Sequence, residues 1–518
     1  MDLLKRRALR NKKRLIFLST LLASNYSLAS LDDTINAFVT PAADALSAVV
    51  FYKIPVMGAD LPLVVLWLIC AAIFFTGYFN FLNIRGLPQA LKIVRGDYSC
   101  KEHKGEVSHF QALATAVSGT VGIGNIGGVA IAISIGGPGA AFWMILAGFF
   151  GMSTKFLECT LGTMYRRENP DGSVSGGPMY YLERAFKDRG LSRIGKFLGS
   201  FYALGIVIGC LGIGNMFQSN QAYTQVVNVT GGAEQSWLAD KGWLFGIFLA
   251  ISVALVIIGG IKSIARVTSK IVPFMAVFYC TGALVMILMN YDALPFAFST
   301  ILSNAFTGSG MAGGILGVMI IGFQRAVFSN EAGIGSAPIA HSAVRTDNAI
   351  TEGYVALLEP FIDTIIICTL TSLVIITTQY YEPNFSQGLG GIEITSYAFE
   401  RNISWSPAFI AIAGFLFAYS TMIAWGYYGL KGWTYLFGEG QKKELIFKLV
   451  FCFFVALGCS IQLEAVLSFS DALVFLICIP NIIGLYMLAP KVKAELKRFQ
   501  QNMASREATD AYPIGDVK

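Results

Sequence analysis

Ser118-Gly119-Thr120-Val121-Gly122-Ile123-Gly124-Asn125-Ile126-Gly127-Gly128 lies inside an apolar segment long enough to cross a bilayer. A helix in hydrocarbon must satisfy its own backbone hydrogen bonds, because lipid offers no partner. Five glycines between Gly119 and Gly128 argue against a continuous helix there. Unwound backbone at membrane depth is tolerated where protein covers it or where it lines a cavity. Interrupted spans of this kind point to the binding sites of secondary transporters. The same glycines also suit close helix packing. A second break, Asn330-Glu331-Ala332-Gly333-Ile334-Gly335-Ser336-Ala337-Pro338, favours the first reading, since it repeats Gly-Ile-Gly followed by a small polar residue.

The whole chain fits that reading. It has 518 residues, 55% hydrophobic and only 14% charged, a composition of polytopic membrane proteins. The formal net charge of +6 is modest and gives no reason to expect a nucleic-acid partner. The nine cysteines form no CxxC pair, and His103, His109 and His341 are scattered. Neither a disulfide framework nor a metal cluster is implied. An intramembrane enzyme would need a nucleophile–base pair or a metal, and finds little support.

Residues 1–30 read as a signal peptide, with a basic start (Lys5, Arg6, Arg7, Arg10), an apolar stretch from Leu15 to Ala23 and small residues at Ser27-Leu28-Ala29. Residues 31–59 then lie outside the cytoplasm. Span 60–83 follows, and after it ten more: 109–135, 140–163, 200–226, 243–260, 271–290, 313–340, 353–378, 407–430, 444–461 and 466–489. Lys and Arg concentrate in alternate loops, and such loops stay inside. That rule orients the chain with its N-terminus out and its tail, 491–518, in. The expected fold is therefore an all-α polytopic membrane protein of eleven transmembrane helices. Without span 60–83, two sets of five remain, 109–290 and 313–490, and each begins with a glycine-broken helix. An odd number of helices per set inverts one set against the other, an inverted-topology repeat.

Each break leaves unpaired amides at one stump and unpaired carbonyls at the other. The amide end attracts a carboxylate, and the carbonyl end suits a hard cation or an ammonium group. A zwitterionic amino acid with a co-transported cation satisfies both ends. A channel would show an unbroken polar stripe, which is not seen. Ionisable residues within the spans are Lys155, Glu158, Arg325, Glu331, Glu359 and Asp363, and such groups are functional candidates. Lys155 and Glu158 have the i,i+3 spacing of a simple helix pair. Arg325 and Glu331 flank the second break as gate or structural ion-pair members. Asp363 either binds an ion or hydrogen-bonds within the bundle. Gly212-Ile213-Gly214-Asn215-Met216-Phe217-Gln218 places amide side chains inside a span. Ser420 precedes Thr421 and Trp425, which share a helix face at i,i+4. Neighbouring helices would satisfy these groups as readily as a ligand.

The motifs resemble those of the alanine or glycine:cation symporters, also called the sodium:alanine symporters. The resemblance rests on His109-Phe110-Gln111-Ala112-Leu113, the turn from Thr120 to Asn125, Gly136-Gly137-Pro138-Gly139, Gly176-Gly177-Pro178 and above all Phe328 to His341. It implies a 5+5 inverted-repeat core like that of the neurotransmitter:sodium symporters plus one N-terminal helix. It also implies sodium-coupled uptake of alanine or glycine across the cell inner membrane by alternating access. Proton coupling of another small amino acid is the near alternative, and no cofactor is implied beyond the coupling ion. Carried over by residue, Gly122, Ile123, Gly124, Gly333, Ile334 and Gly335 would line the substrate, with Gln218, Thr421 and Trp425 completing the pocket. Carbonyls of Ser118 and Val121 with Ser420 and Thr421 would hold sodium. Many members have Thr or Ser where this chain has Ile123, a departure that bears on amino-acid selectivity.

Overall fold

The computed structural model describes residues 40–41, 44–56, 59–98, 103–170, 172–307, 314–378, 390–460 and 464–511. The expected signal peptide lies outside the described residues. A short hairpin of β1 (Lys53–Val56) and β2 (Ala59–Pro62) leads into helix α1 (Leu63–Tyr78), which packs along α4. The first interrupted span consists of α2 (His109–Thr120) and α3 (Gly127–Gly136), and α4 (Gly139–Met164) returns beside it. Then come α5 (Pro178–Lys187), α6 (Ser192–Leu211) continuing through a π-turn into α7 (Phe217–Val229), α8 (Gly242–Ile257) and α9 (Gly260–Met289). Helix α10 (Leu294–Thr307) precedes the second interrupted span, α11 (Gly314–Asn330) and α12 (Ala337–His341). Helices α13 (Ala349–Ala356) and α14 (Thr369–Thr377) flank a π-helical stretch at Phe361–Cys368, and α15 (Ile392–Glu400) follows. The chain finishes with α16 (Ser406–Phe437), α17 (Gln441–Gly458) and α18 (Glu464–Ala511).

Among the described residues, six helices are long and apolar enough to cross a membrane, and a seventh span is the bent pair α2–α3. Helices α1, α8 and α11 are shorter but also apolar. Two helices arise where only loops were expected. Between the expected spans 271–290 and 313–340, α10 forms and packs against α4. It comes so close that a Cβ on Gly139 would lie 2.4 Å from the Ala305 nitrogen. The polar stretch between Glu382 and Arg401 contains α15, which packs on α16 and α3.

Local sequence explains where the first broken span begins. Ser108 Oγ accepts from the Gln111 amide at 3.2 Å, and the Ser108 amide donates back to Gln111 Oε1 at 3.0 Å. This reciprocal cap satisfies two orphan donors and starts α2 at His109. Small residues let the other helices close on one another, as bilayer helices require. A Cβ on Gly246 of α8 would lie 2.5 Å from the Ala456 carbonyl oxygen of α17. Beyond α4, the Arg166 guanidinium donates to the carbonyls of Ser342, Thr346 and Lys104 at 2.8–3.0 Å. It ties the chain leaving the second break to the chain entering the first.

Candidate functional site

The first break is real and sharp. Helices α2 and α3 are bent by 61° about a 3-10 turn at Ile123–Asn125. The Gly122 amide donates to Asn125 Oδ1 at 2.9 Å, so the turn is braced from within. The neighbouring Ile123 amide donates to Gln218 Oε1 at 3.1 Å. Gln218 can reach it because the π-turn at Gly212–Met216 bulges the preceding helix, and Gln218 Nε2 donates to the freed Ile213 carbonyl at 3.1 Å. Gly122 faces Gln218 and Thr421 directly. A Cβ there would lie 2.6 Å from Thr421 Oγ1 and 3.1 Å from Gln218 Oε1.

The second break runs from Glu331 to Ser336. Gly333 and Gly335 have φ of +92° and +86°, a region in which side chains are strained. Glu331 itself sits at φ +58°, unusual for a residue with a Cβ. Its carboxylate is buried and accepts from Trp425 Nε1 at 3.0 Å and from the Ser336 hydroxyl. Trp425 Nε1 also points at the Gly119 carbonyl, 3.3 Å away. One indole therefore spans from the first break to the second. The side chain packs directly against Gly214, where a Cβ would lie 2.1 Å from Trp425 Cγ.

The expected sodium ligands meet in two pairs, and the Ser420 hydroxyl itself donates to the Phe417 carbonyl at 3.0 Å. Ser118 Oγ donates to the Ser420 carbonyl at 2.6 Å, and Thr421 Oγ1 lies 3.5 Å from the Val121 carbonyl oxygen. Gly122, Ile123, Gln218 and Thr421 thus meet beside the first break, while the Trp425 indole lies at Gly119, Gly214 and Glu331. The other candidates are placed differently. The open side of Gly333 faces Leu68 and Ile482, that of Gly335 faces Pro178 and Asn481, and that of Gly124 faces Phe328. Ile334 is fully buried in the core.

Charged residues pair in ways that spacing along the chain did not reveal. Lys155 does not pair with Glu158 as the i,i+3 spacing suggested. Its ammonium meets Glu359 at 3.4 Å, while Glu158 accepts from Asn481 Nδ2 at 2.6 Å. The same Asn481 amide donates to the Gly333 carbonyl at 2.8 Å, and Tyr181 donates to its Oδ1. The histidines are not all scattered. His341 lies between two carboxylates, with Nε2 2.7 Å from Glu359 and Nδ1 2.6 Å from Glu352, and Glu352 also meets His109. Cys159, His341 and Glu359 bring ligand-type atoms within 4.8 Å of one another, although Lys155 already holds that carboxylate. Arg325 approaches Asp471 at 4.0 Å. Asn481, Tyr181, Glu352 and the clustered histidines were missed as partners. Their only sequence signal is a polar type inside an apolar segment.

Trp425→Phe keeps the ring on Gly214 and deletes the donor. Losing a hydrogen bond to a buried carboxylate costs about 1.5–3 kcal/mol. Amino-acid affinity of the purified protein is therefore expected to fall by about tenfold or more. Unchanged affinity in a binding titration would remove the indole N–H from the site.

The chain is similar in sequence to several known proteins. The profile described as the sodium:alanine symporter family matches residues 46–512. The sodium/alanine symporter AgcS of Methanococcus maripaludis is 40% identical over 451 residues, covering 87% of this chain and 96% of that protein. The amino-acid carrier protein AlsT of Bacillus subtilis is 33% identical over 426 residues, covering 82% of this chain and 86% of its own. The crystal structure of MhsT in complex with L-phenylalanine superposes with a TM-score of 0.53 at 15% identity, over 74% of this chain and 89% of that one. That likeness shows a shared helical fold. With its interrupted spans joined through Trp425 and its profile match over most of its length, this multi-pass membrane protein belongs to the sodium:alanine symporter family.

Proposed function

We propose that the protein takes up a small neutral amino acid, alanine or glycine, together with sodium, by alternating access across the cell inner membrane. The observation that carries this reading is the point beside Gly122. Two adjacent main-chain amides, Gly122 and Ile123, lie there with Gln218 and Thr421, and Trp425 reaches the Gly119 carbonyl one turn before them. Adjacent amides at the start of a helix suit a carboxylate, and the crowding around Gly122 suits a ligand with little side chain. Gly124, Gly333, Ile334 and Gly335 contribute backbone to the two turns. Sodium is assigned to the carbonyls of Ser118 and Val121 with Ser420 and Thr421, oxygen ligands of the type a hard cation prefers.

The architecture assigned is eleven spans, N-terminus out and C-terminus in. One N-terminal helix (60–83) precedes repeats 109–290 and 313–490, and 491–518 forms the cytoplasmic tail. Supporting the repeat, helices at equivalent places pack on each other. Helix α4 meets α13, α6 meets α16, α8 meets α17, and the first break lies against α11. Residues 1–30 are assigned as a signal peptide and 31–59 as the extracytoplasmic segment after it.

Purified protein in liposomes tests the assignment. An inward sodium gradient is expected to drive labelled alanine above its external concentration, and collapsing that gradient is expected to abolish accumulation. Accumulation that follows a proton gradient and ignores sodium would overturn the choice of ion. Flux that never runs uphill would overturn symport.

A further inference from the structure

A cleft of about 730 Å³ opens where the loop after α4, helix α5, the start of α6 and the end of α16 meet. Arg167, Arg184, Lys187 and Lys196 line it, against two carboxylates, Glu183 and Asp188. Glu183 is engaged, since it accepts from the Tyr435 hydroxyl at 2.9 Å. Arg167 is engaged too, 3.7 Å from Glu439 and 5.7 Å from the centre of the Tyr180 ring. Arg184, Lys187 and Lys196 are exposed, and among the described residues none of the three has a hydrogen-bond or ion-pair partner. Helices α5 and α6, which carry them, are in close contact. A Cβ on Gly195 would lie 2.7 Å from Phe186 Cβ, and one on Gly199 would lie 2.7 Å from the Met179 carbonyl oxygen. The three free cations therefore stand on one firm frame.

Like charge gathered in a concave site attracts an anion. A guanidinium fork beside flexible ammonium groups suits the oxygens of a phosphate. The surroundings say where that phosphate comes from. The cleft lies at the first turns of one apolar span and the last turn of another. Phe197, the residue after Lys196, is 67% exposed and stacks on Phe201 with ring centres 6.3 Å apart. Leu204 continues this apolar strip along α6, and Phe437, next to Leu436 in the cleft wall, is exposed as well. A free anion needs no apolar strip beside its site, whereas acyl chains do. We infer that the cleft binds the phosphodiester headgroup of an anionic phospholipid, whose chains lie along Phe197, Phe201 and Leu204. The orientation assigned above puts it at the cytoplasmic surface, where anionic lipids attract basic segments beside spans.

Helix α5 gives the lipid a route to the second break. Pro178 at its start touches Gly335, where a Cβ would lie 2.5 Å from Pro178 Cγ. Tyr181 donates to Asn481, whose amide donates to the Gly333 carbonyl at 2.8 Å. Arg184 and Lys187 follow on the same short helix. A headgroup that draws α5 onto α6 steadies both glycines of the break.

The test uses the full-length protein in an uncharged detergent. Dioctanoyl phosphatidylglycerol is titrated in, with dioctanoyl phosphatidylcholine and inorganic phosphate as parallel arms. The readouts are the melting temperature and hydrogen exchange at residues 331–341, and neither depends on the amino acid carried or on membrane orientation. Phosphatidylglycerol is expected to raise the melting temperature saturably and to slow exchange at the break, and the other two are not. Lys187→Gln with Lys196→Gln is expected to raise the half-saturating concentration roughly 25-fold, about fivefold for each charge. Lys262→Gln with Lys270→Gln removes the same charge from exposed positions at the start of α9 and is expected to leave it unchanged. If the first double variant does not purify, Arg184→Gln alone is expected to give about a fivefold rise. Equal half-saturation in the cleft variant and the α9 variant would overturn the inference, because charge anywhere would then serve. A shift from phosphatidylcholine as large as that from phosphatidylglycerol would also overturn it. Inorganic phosphate reproducing the shift would overturn the assignment to lipid. Unchanged exchange at 331–341 in saturating phosphatidylglycerol would overturn the route through α5.

Discussion

Lys155→Met is expected to lower the stability of the purified protein by about 3–5 kcal/mol, the usual cost of removing one partner from a buried ion pair. Lys155 is fully buried and pairs with Glu359, which in turn meets His341. Methionine fills similar volume, so packing loss is small and the effect reports on charge. Without the ammonium, Glu359 remains in the bundle with only His341 to balance it. The disturbance should spread through His341, Glu352 and His109, because those groups join α2, α12 and α13 to α4. Thermal unfolding in detergent checks the prediction, with Glu359→Gln added as a second change. The double variant is expected to recover much of the loss, since it removes the stranded charge. A single variant that melts with the wild type would mean that the pair is not formed in the folded protein.

Gly122→Ala is expected to reduce alanine binding and transport strongly while the protein still inserts and folds. The added methyl would lie 2.6 Å from Thr421 Oγ1 and 3.1 Å from Gln218 Oε1, so something must move. Overpacking of this kind costs about 1–3 kcal/mol, or about 5- to 150-fold in affinity. Sodium dependence should suffer as well, because Thr421 is assigned to both ligands. Gly128→Ala is the matched control. A Cβ there meets nothing within 4 Å, and near-normal uptake is expected. Equal uptake by both variants would move the substrate away from Gly122.

The two changes probe different levels of the structure, and they differ in how far the sequence announces them. The glycine turn at 119–128 and the Gly-Ile-Gly of the second break are local features. Glycine permits the left-handed backbone at Gly333 and Gly335 and weakens a continuous helix at 119–128, so both interruptions were legible from composition alone. The cap at Ser108 and the apolar spans are local for the same reason. Gln218, Thr421 and Trp425 were named from polar type, helix face and resemblance. Helices α10 and α15 were missed because they lie between spans, where membrane-length hydropathy does not speak.

What the residues alone determined is a set of interrupted apolar helices, because backbone hydrogen bonding in lipid is settled within a few turns of chain. What only tertiary structure decided is which buried polar groups meet. Lys155 finds Glu359 across 204 residues, Asn125 finds Asp363 across 238, and Trp425 reaches Glu331 across 94. Electrostatic partnership inside a bundle depends on distance in space, and i,i+3 spacing on one helix could not reveal that Lys155 turns away from Glu158.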